Sequence, residues 1–241
     1  MTKTSSAGAH QKSFLKGLPF LSPAADQSTR LTSRQRETLT RIALRIRLPA
    51  RKVIYRAGSE AGFAFAVAEG VVKGYRELPS GKRVVCAFLF PRDLFGLAEN
   101  GVYVNCAQSI TDVTLHRLPL PELAHLLRHD GDLQFHFLSK ITHELRQAQR
   151  QSILMGRRDA PGRLAMFLAM MLDRTESDDR HSPVVDLPMT KSDIAGFLGL
   201  SLAGVNRAFA ELERDELVSF DDAHQARILD MPGFSRLVAA L

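Results

Sequence analysis

The stretch TKSDIAGFLGLSLAGVNRAF, Thr190 to Phe209, decides the fold. Counted from Lys191, a small residue, Ala195, falls fifth and a glycine, Gly199, falls ninth. Apolar residues fall fourth, eighth, tenth, fifteenth and eighteenth: Ile194, Leu198, Leu200, Val205 and Ala208. Ala195 lets a second helix approach the first closely, and Gly199 permits a left-handed turn at no steric cost. The apolar positions tie both helices to one domain. The spacing therefore predicts a helix-turn-helix over residues 191–210, with the outward positions of its second helix left for a DNA major groove.

The flanking segments fit this reading. After the motif come an apolar strand at Leu217–Phe220, a turn at Asp221–His224, a strand at Ala226–Asp230 and a short terminal helix, which together describe a winged helix. Before it, Arg157-Arg158-Asp159-Ala160-Pro161 opens a helix running to about Leu172, followed by the polar loop DRTESDDRHSPVVD. Further upstream, Asp132 to Met155 contains neither Gly nor Pro, and Leu133, Phe137, Ile141, Leu145, Ala148, Ser152 and Met155 recur at spacings of three and four. A helix of this length suits a coiled-coil-like pairing with a second copy of the chain; the alternative is a helix lying across its own β-domain. Glu144 stands on the shoulder of the stripe, so the pairing needs no titration switch. His129, His136 and His143 recur every seven residues, a spacing expected of a solvated flank, since helical metal ligands favour three or four.

From about Leu39 to Pro121 the pattern is strand-like. KVIYRAG, FAFAVAEG, VVKGYRELP, KRVVCAFLF and DVTLHRLP are separated by turn residues at intervals near ten, which suggests an all-β barrel or sandwich. Pro79-Ser80-Gly81 reads as a hairpin turn, and Gly81-Lys82 lacks the spacing of a phosphate loop.

The 241 residues, 45% of them apolar, suffice for two domains with proper cores. The net charge of +6 is unevenly placed: residues 1–155 carry 22 Lys and Arg against 12 Asp and Glu, whereas 156–241 carry 10 against 14. A DNA-binding C-terminal part must then act through a local basic face. No apolar run has the length of a membrane helix and no signal peptide is evident, so the expected location is the cytoplasm, with no membrane partner. Cys86 and Cys106 are the two cysteines, too few for a disulfide framework; a single regulatory bond between them stays open. Cys86 reads as a buried strand residue and Cys106 as the more exposed, better redox candidate.

These features resemble the Crp/Fnr family of bacterial transcription regulators, its Fnr/FixK side in particular, from about Leu39 to Leu241. The motif MTKSDIAGFLGLS, PRDLFG at 91–96 and LMGRRDAPGRLAMFL at 154–168 carry the resemblance. It implies an α+β chain with four parts: a flexible segment at 1–30, a cyclic-nucleotide-binding-type β-roll at 31–130, a dimerisation helix at 131–156, and a winged helix at 157–241. The implied partners are double-stranded DNA with a palindromic site, a second copy of the chain, and RNA polymerase if the protein activates. On that geometry Arg207 reads guanine, with Asn206, Ala203 and Leu202 beside it on the base-contacting face. Thr190, Lys191, Ser192 and Ser201 hold phosphates.

Several departures qualify the resemblance. Where the family has Glu-Thr-apolar-Ser/Gly-Arg, this chain has Ala203-Gly204-Val205-Asn206-Arg207, so the acidic reader of cytosine is missing. Where cyclic-nucleotide members cradle a phosphate, it has Gly96-Leu97-Ala98-Glu99 and Asn105-Cys106-Ala107, without an arginine. No N-terminal cysteine group exists for an iron–sulfur cluster, and His116 stands near the β-roll ligand position. The expectation is a regulator without cofactor, metal site or catalytic residues. The alternatives are a haem or small apolar effector, with only lone histidines such as His10 and His116 for haem, or a cysteine-based redox sensor. No nucleophile elbow or dinucleotide fingerprint suggests an enzyme.

Overall fold

The computed structural model describes residues 32–239, apart from 99, 158, 175–182, 222–223 and the side chain of 143. The expectations for residues 1–30, His10, Glu99 and the His143 side chain lie outside the described residues.

The chain opens with a helix, α1 (Ser33–Ile42), which the strand pattern did not predict. A capping box starts it: Gln35 N–H donates to Thr32 Oγ1 (3.2 Å), and Thr32 N–H donates to Gln35 Oε1 (3.0 Å). Eight strands follow: β1 (Leu44–Leu48), β2 (Val53–Tyr55), β3 (Phe63–Glu69), β4 (Val72–Glu77), β5 (Arg83–Leu89), β6 (Leu94–Phe95), β7 (Cys106–Ser109) and β8 (Val113–Pro119). They form two antiparallel four-stranded sheets, ordered β1-β8-β3-β6 and β2-β7-β4-β5. Alternate apolar residues such as Phe65, Val67, Val72 and Leu115 meet between them. The turn at Pro79–Gly81 joins β4 to β5 as expected, with Leu78 N–H donating to the Lys82 carbonyl (2.9 Å).

A short helix, α2 (Leu120–His129), leads into α3 (Gly131–Gly156), whose N-cap Asp130 accepts from Leu133 N–H at 2.8 Å. The long helix is present, but its apolar residues divide between two faces. Leu133 and Phe137 are buried in the same chain against Ala64, Leu118 and Leu123; Phe137 is 7% exposed. Phe137 therefore drops out of the expected dimer stripe, because it already fills the junction with the β-roll. Leu138, at 58% exposure, instead lies in line with Ile141, Leu145, Ala148, Ser152 and Met155, all exposed. His136 is half-buried and packs edge-on near Phe137 rather than lying on a solvated flank.

Next comes α4 (Ala160–Leu172), with Asp159 as N-cap accepting from Gly162 N–H (2.7 Å) and Pro161 in its first turn. Then follow β9 (Val184–Asp186), α5 (Lys191–Leu198), α6 (Leu202–Arg214), β10 (Val218–Phe220), β11 (Gln225–Ile228) and α7 (Met231–Ala239). Strand β9 falls in the stretch expected to be a loop; it is ordered by pairing with β11 in a sheet β10-β11-β9. Buried Arg157 fastens α7 to this unit by donating to the Leu237 and Val238 carbonyls (3.0 and 3.2 Å).

The apolar core of the C-terminal unit continues into the β-roll. Phe88 of β5 lies 5.2 Å from the ring of Phe197 and 5.9 Å from that of Phe167. No helix among the described residues is long and apolar enough to cross a membrane.

Candidate nucleic-acid interface

Helices α5 and α6 take the arrangement that the spacing predicts. Gly199 closes α5 in the left-handed region (φ +65°), and Leu200 N–H returns to the Ala195 carbonyl at 3.0 Å. Ser201 caps α6, accepting from Gly204 N–H at 3.0 Å. Ile194, Ala195, Leu198, Val205 and Ala208 are buried, and Leu200 is half-buried. With Gly204, Val205, Ala208 and Phe209 turned inward, α6 presents Leu202, Ala203, Asn206 and Arg207 outward along one side. These are the four residues expected to meet base edges.

The expected phosphate end is the first turn of α5. Thr190, Lys191, Ser192 and Ser201 are all exposed. The Thr190 hydroxyl is already used within the chain: it accepts from Asp193 N–H (3.1 Å) and donates to Asp193 Oδ2 (2.9 Å). The start of α5 also leaves backbone N–H groups without helical partners, beside the exposed Lys191 and Ser192 side chains. The Lys191 ammonium leans over the Phe209 ring, 4.9 Å from its centre, which places positive charge between the two helices. On the wing, exposed His224 adopts φ +63°, and its carbonyl accepts from Leu187 N–H at 2.7 Å.

Three features that hold this surface in place were missed in the sequence. Arg163 donates to the carbonyls of Met155, Arg157 and Leu198 (3.1, 2.7 and 3.0 Å), tying the ends of α3 and α5 together. Gly196 lets α5 approach the backbone of β5, where a Cβ would stand 3.1 Å from the Arg83 carbonyl oxygen. Lys73 of β4 is ion-paired with Asp193 of α5. Only Gly196 left a sequence signal, a second glycine within the first motif helix.

Comparison with known proteins agrees with this architecture. A cyclic nucleotide-binding domain matches residues 45–130, and a Crp-like helix-turn-helix domain matches residues 162–237. The transcriptional activatory protein AadR of Rhodopseudomonas palustris is 31% identical over 204 residues, covering 85% of each chain. The chain belongs to the Crp/Fnr family of transcription regulators. The nitrogen fixation regulation protein FixK of Bradyrhizobium diazoefficiens is 33% identical over 150 residues, 62% of this chain and 63% of that one. The solved structure of FixK2 from Bradyrhizobium japonicum superposes with a TM-score of 0.76 at 28% identity, covering 83% of this chain and 99% of that one. As a Crp/Fnr member the chain is a DNA-binding transcription regulator, and its relatives are regulators rather than enzymes.

The ligands familiar in the Crp/Fnr family fit these residues poorly. Asn105, Cys106 and Ala107 supply no cation for a phosphodiester, and Leu97 leaves an apolar side chain after Gly96. The interior beneath them is filled by aromatic rings: Tyr103 stacks on Tyr55 at 3.8 Å, and its hydroxyl donates to the Phe63 carbonyl at 2.8 Å. Burial pushes the Tyr55 phenol well above its ordinary pKa, helped by neighbouring Tyr103 and Cys106. Among the described residues no group of three or more His, Cys, Asp or Glu could hold a metal ion.

The cysteine expectations need correcting. Cys86 and Cys106 sit on β5 and β7 with β4 between them, so about 9–10 Å separates their backbones, beyond disulfide reach. Both are half-buried, and Cys106 Sγ accepts from Ala57 N–H at 3.3 Å. Burial also pushes the Cys86 thiol pKa up.

Proposed function

We propose that the chain acts as a homodimer on a palindromic DNA site, without cyclic nucleotide or iron–sulfur cluster, and controls genes of low-oxygen or nitrogen-oxide respiration. The observation that carries the reading is the exposed side of α6, where Arg207, Asn206, Ala203 and Leu202 stand together above a fully apolar inner face. Arg207 reads a guanine through O6 and N7, Asn206 an adenine or a phosphate, and Ala203 meets a thymine methyl. Lys191, Ser192, Ser201 and the α5 N-terminus fix the register on the backbone.

Dimerisation is supported by the exposed stripe of Leu138, Ile141, Leu145, Ala148, Ser152 and Met155, whose steps alternate three and four as a two-stranded seam requires. Two copies then present two α6 helices to half-sites about one helical turn apart. The filled β-roll interior supports action without nucleotide. The physiology follows the Fnr/FixK resemblance, and contact with RNA polymerase follows if the protein activates. Sedimentation with and without duplex DNA tests the assembly: a dimer alone and two chains per duplex support it, and a monomer in both states contradicts it.

One observation favours a second reading, gating by a small effector. A cleft of about 660 Å³ lies between the β-roll and the wing, lined by Phe90, Met171, Leu187 and Pro188 with Arg174 and His224 at its edge. A Soret band in purified protein, or a rise in melting temperature with a small apolar ligand, supports that reading.

A further inference from the structure

We propose that Lys73, a residue of the β-roll, belongs to the DNA-binding surface, where it neutralises Asp193 at the phosphate-holding end of α5. The inference rests on the reading of α5 given under Proposed function.

Asp193 lies in the first turn of α5, directly after Thr190, Lys191 and Ser192. A carboxylate there suits the helix, since it faces the positive end of the dipole and caps with Thr190. The same carboxylate is badly placed for DNA, because a fixed negative charge within a turn of a bound phosphate repels it. The C-terminal part has little charge to offset this, with 10 Lys and Arg against 14 Asp and Glu over residues 156–241. The compensating cation comes from 120 residues away. Lys73 projects from β4 and its ammonium pairs with Asp193 Oδ1, while Oδ2 is held by the Thr190 hydroxyl. Both side chains are largely shielded, at 12% and 14% exposure, so solvent screens the pair less than a surface bridge.

Docking alone does not require this pairing at the phosphate end. Phe88 against Phe167 and Phe197, and β5 against Gly196, already join the two parts through apolar contact. Lys73 instead makes the charge of the DNA-facing end depend on the β4–β5 hairpin staying in place. Movement of that hairpin away from α5 uncovers Asp193 beside the phosphates and lowers affinity with no change in α6.

A charge cycle tests the proposal on the full-length dimer, using a labelled duplex of arbitrary sequence in low salt, since phosphate contacts are independent of sequence. Lys73→Ala is expected to weaken binding about tenfold, from one uncompensated charge in each half of the dimer. Asp193→Asn is expected to tighten binding, because Lys73 then faces the phosphates unpaired. The double variant is expected to return to within about twofold of wild type, both members of the pair being gone. A docking role predicts that all three variants bind more weakly, and that result overturns the proposal, as does equal binding by all four proteins. If Lys73→Ala does not fold, Asp193→Asn against wild type decides alone: tighter supports, equal or weaker overturns. Absence of any duplex binding by wild type would instead remove the underlying reading of α5.

Discussion

Gly196 of the first motif helix lies directly on Val85 of the β-roll: a Cβ at 196 would sit 3.2 Å from Val85 Cγ2 and 3.1 Å from the Arg83 carbonyl oxygen. At position 196 the two units therefore meet through the backbone of α5, while Phe197 and Asp193 on either side make side-chain contacts with Phe88 and Lys73. Gly196→Val forces the two apart. Overpacking of this kind costs about 1–3 kcal/mol, read as a lower urea midpoint. Unchanged stability would mean that the contact is loose in solution.

Phe137 and Leu138 are neighbours on α3 with opposite assignments. Phe137 is enclosed by Leu133, Leu118 and Leu123, so Phe137→Ala is expected to cost about 3–5 kcal/mol of folding stability. Leu138 and Leu145 are each 58% exposed on the outer stripe. Leu138→Asp or Leu145→Asp leaves the single chain folded and shifts sedimentation from dimer to monomer. A monomeric Phe137→Ala beside a dimeric Leu145→Asp would reverse the two roles.

Glu144 turns away from that stripe toward Asp93 of the PRDLFG turn. Burial raises its pKa from 4.5 to about 7, repulsion from Asp93 adds to the rise, and Arg174 and Lys140 oppose it. The titratable group beside the seam thus responds near neutrality, against the expectation that none would matter there. Between 4.5 and about 7 the folded chain holds a proton that the unfolded chain has lost, so stability falls as pH rises through that window and is flat on either side. Glu144→Gln removes the slope and stabilises the protein above neutrality by on the order of 2 kcal/mol, with little effect at pH 4. Parallel melting curves for the two proteins across the window would contradict this.

In the proposed reading of α6, Arg207 and Ala203 carry the base preference. Arg207→Ala is expected to cost about 1–3 kcal/mol of discrimination at one guanine per half-site. Ala203→Glu restores an acceptor for cytosine N4 and sharpens preference at one neighbouring pair. Titration against single-base variants of a selected site measures both, and an unchanged preference in Ala203→Glu refutes the placement of residue 203.

The motif was legible because its constraints are local: Ala195, Gly199 and the apolar positions between Ile194 and Ala208 each answer a short-range steric need. The α3 stripe was half legible. Its period is written in the chain, but whether Phe137 turns toward its own β-roll or toward another copy depends on α2 and β8, which no periodicity shows. Helix α1 carries a capping signature in Thr32 and Gln35, but it is short and a strand pattern begins just after it. Strand β9 left almost none, since two valines in a polar loop become a strand only by pairing with β11. The separation of Cys86 from Cys106 follows from strand order, and the Lys73–Asp193 pair from the packing of α5 against β4 and β5. Both are tertiary facts.

The most direct measurement is selection from a pool of duplexes with randomised half-sites, using reduced protein with no ligand added. The account predicts an enriched palindrome with a fixed guanine in each half-site and relaxed preference at the pair facing Ala203. Failure of a folded dimer to enrich any sequence, or enrichment of a site without two-fold symmetry, would contradict it.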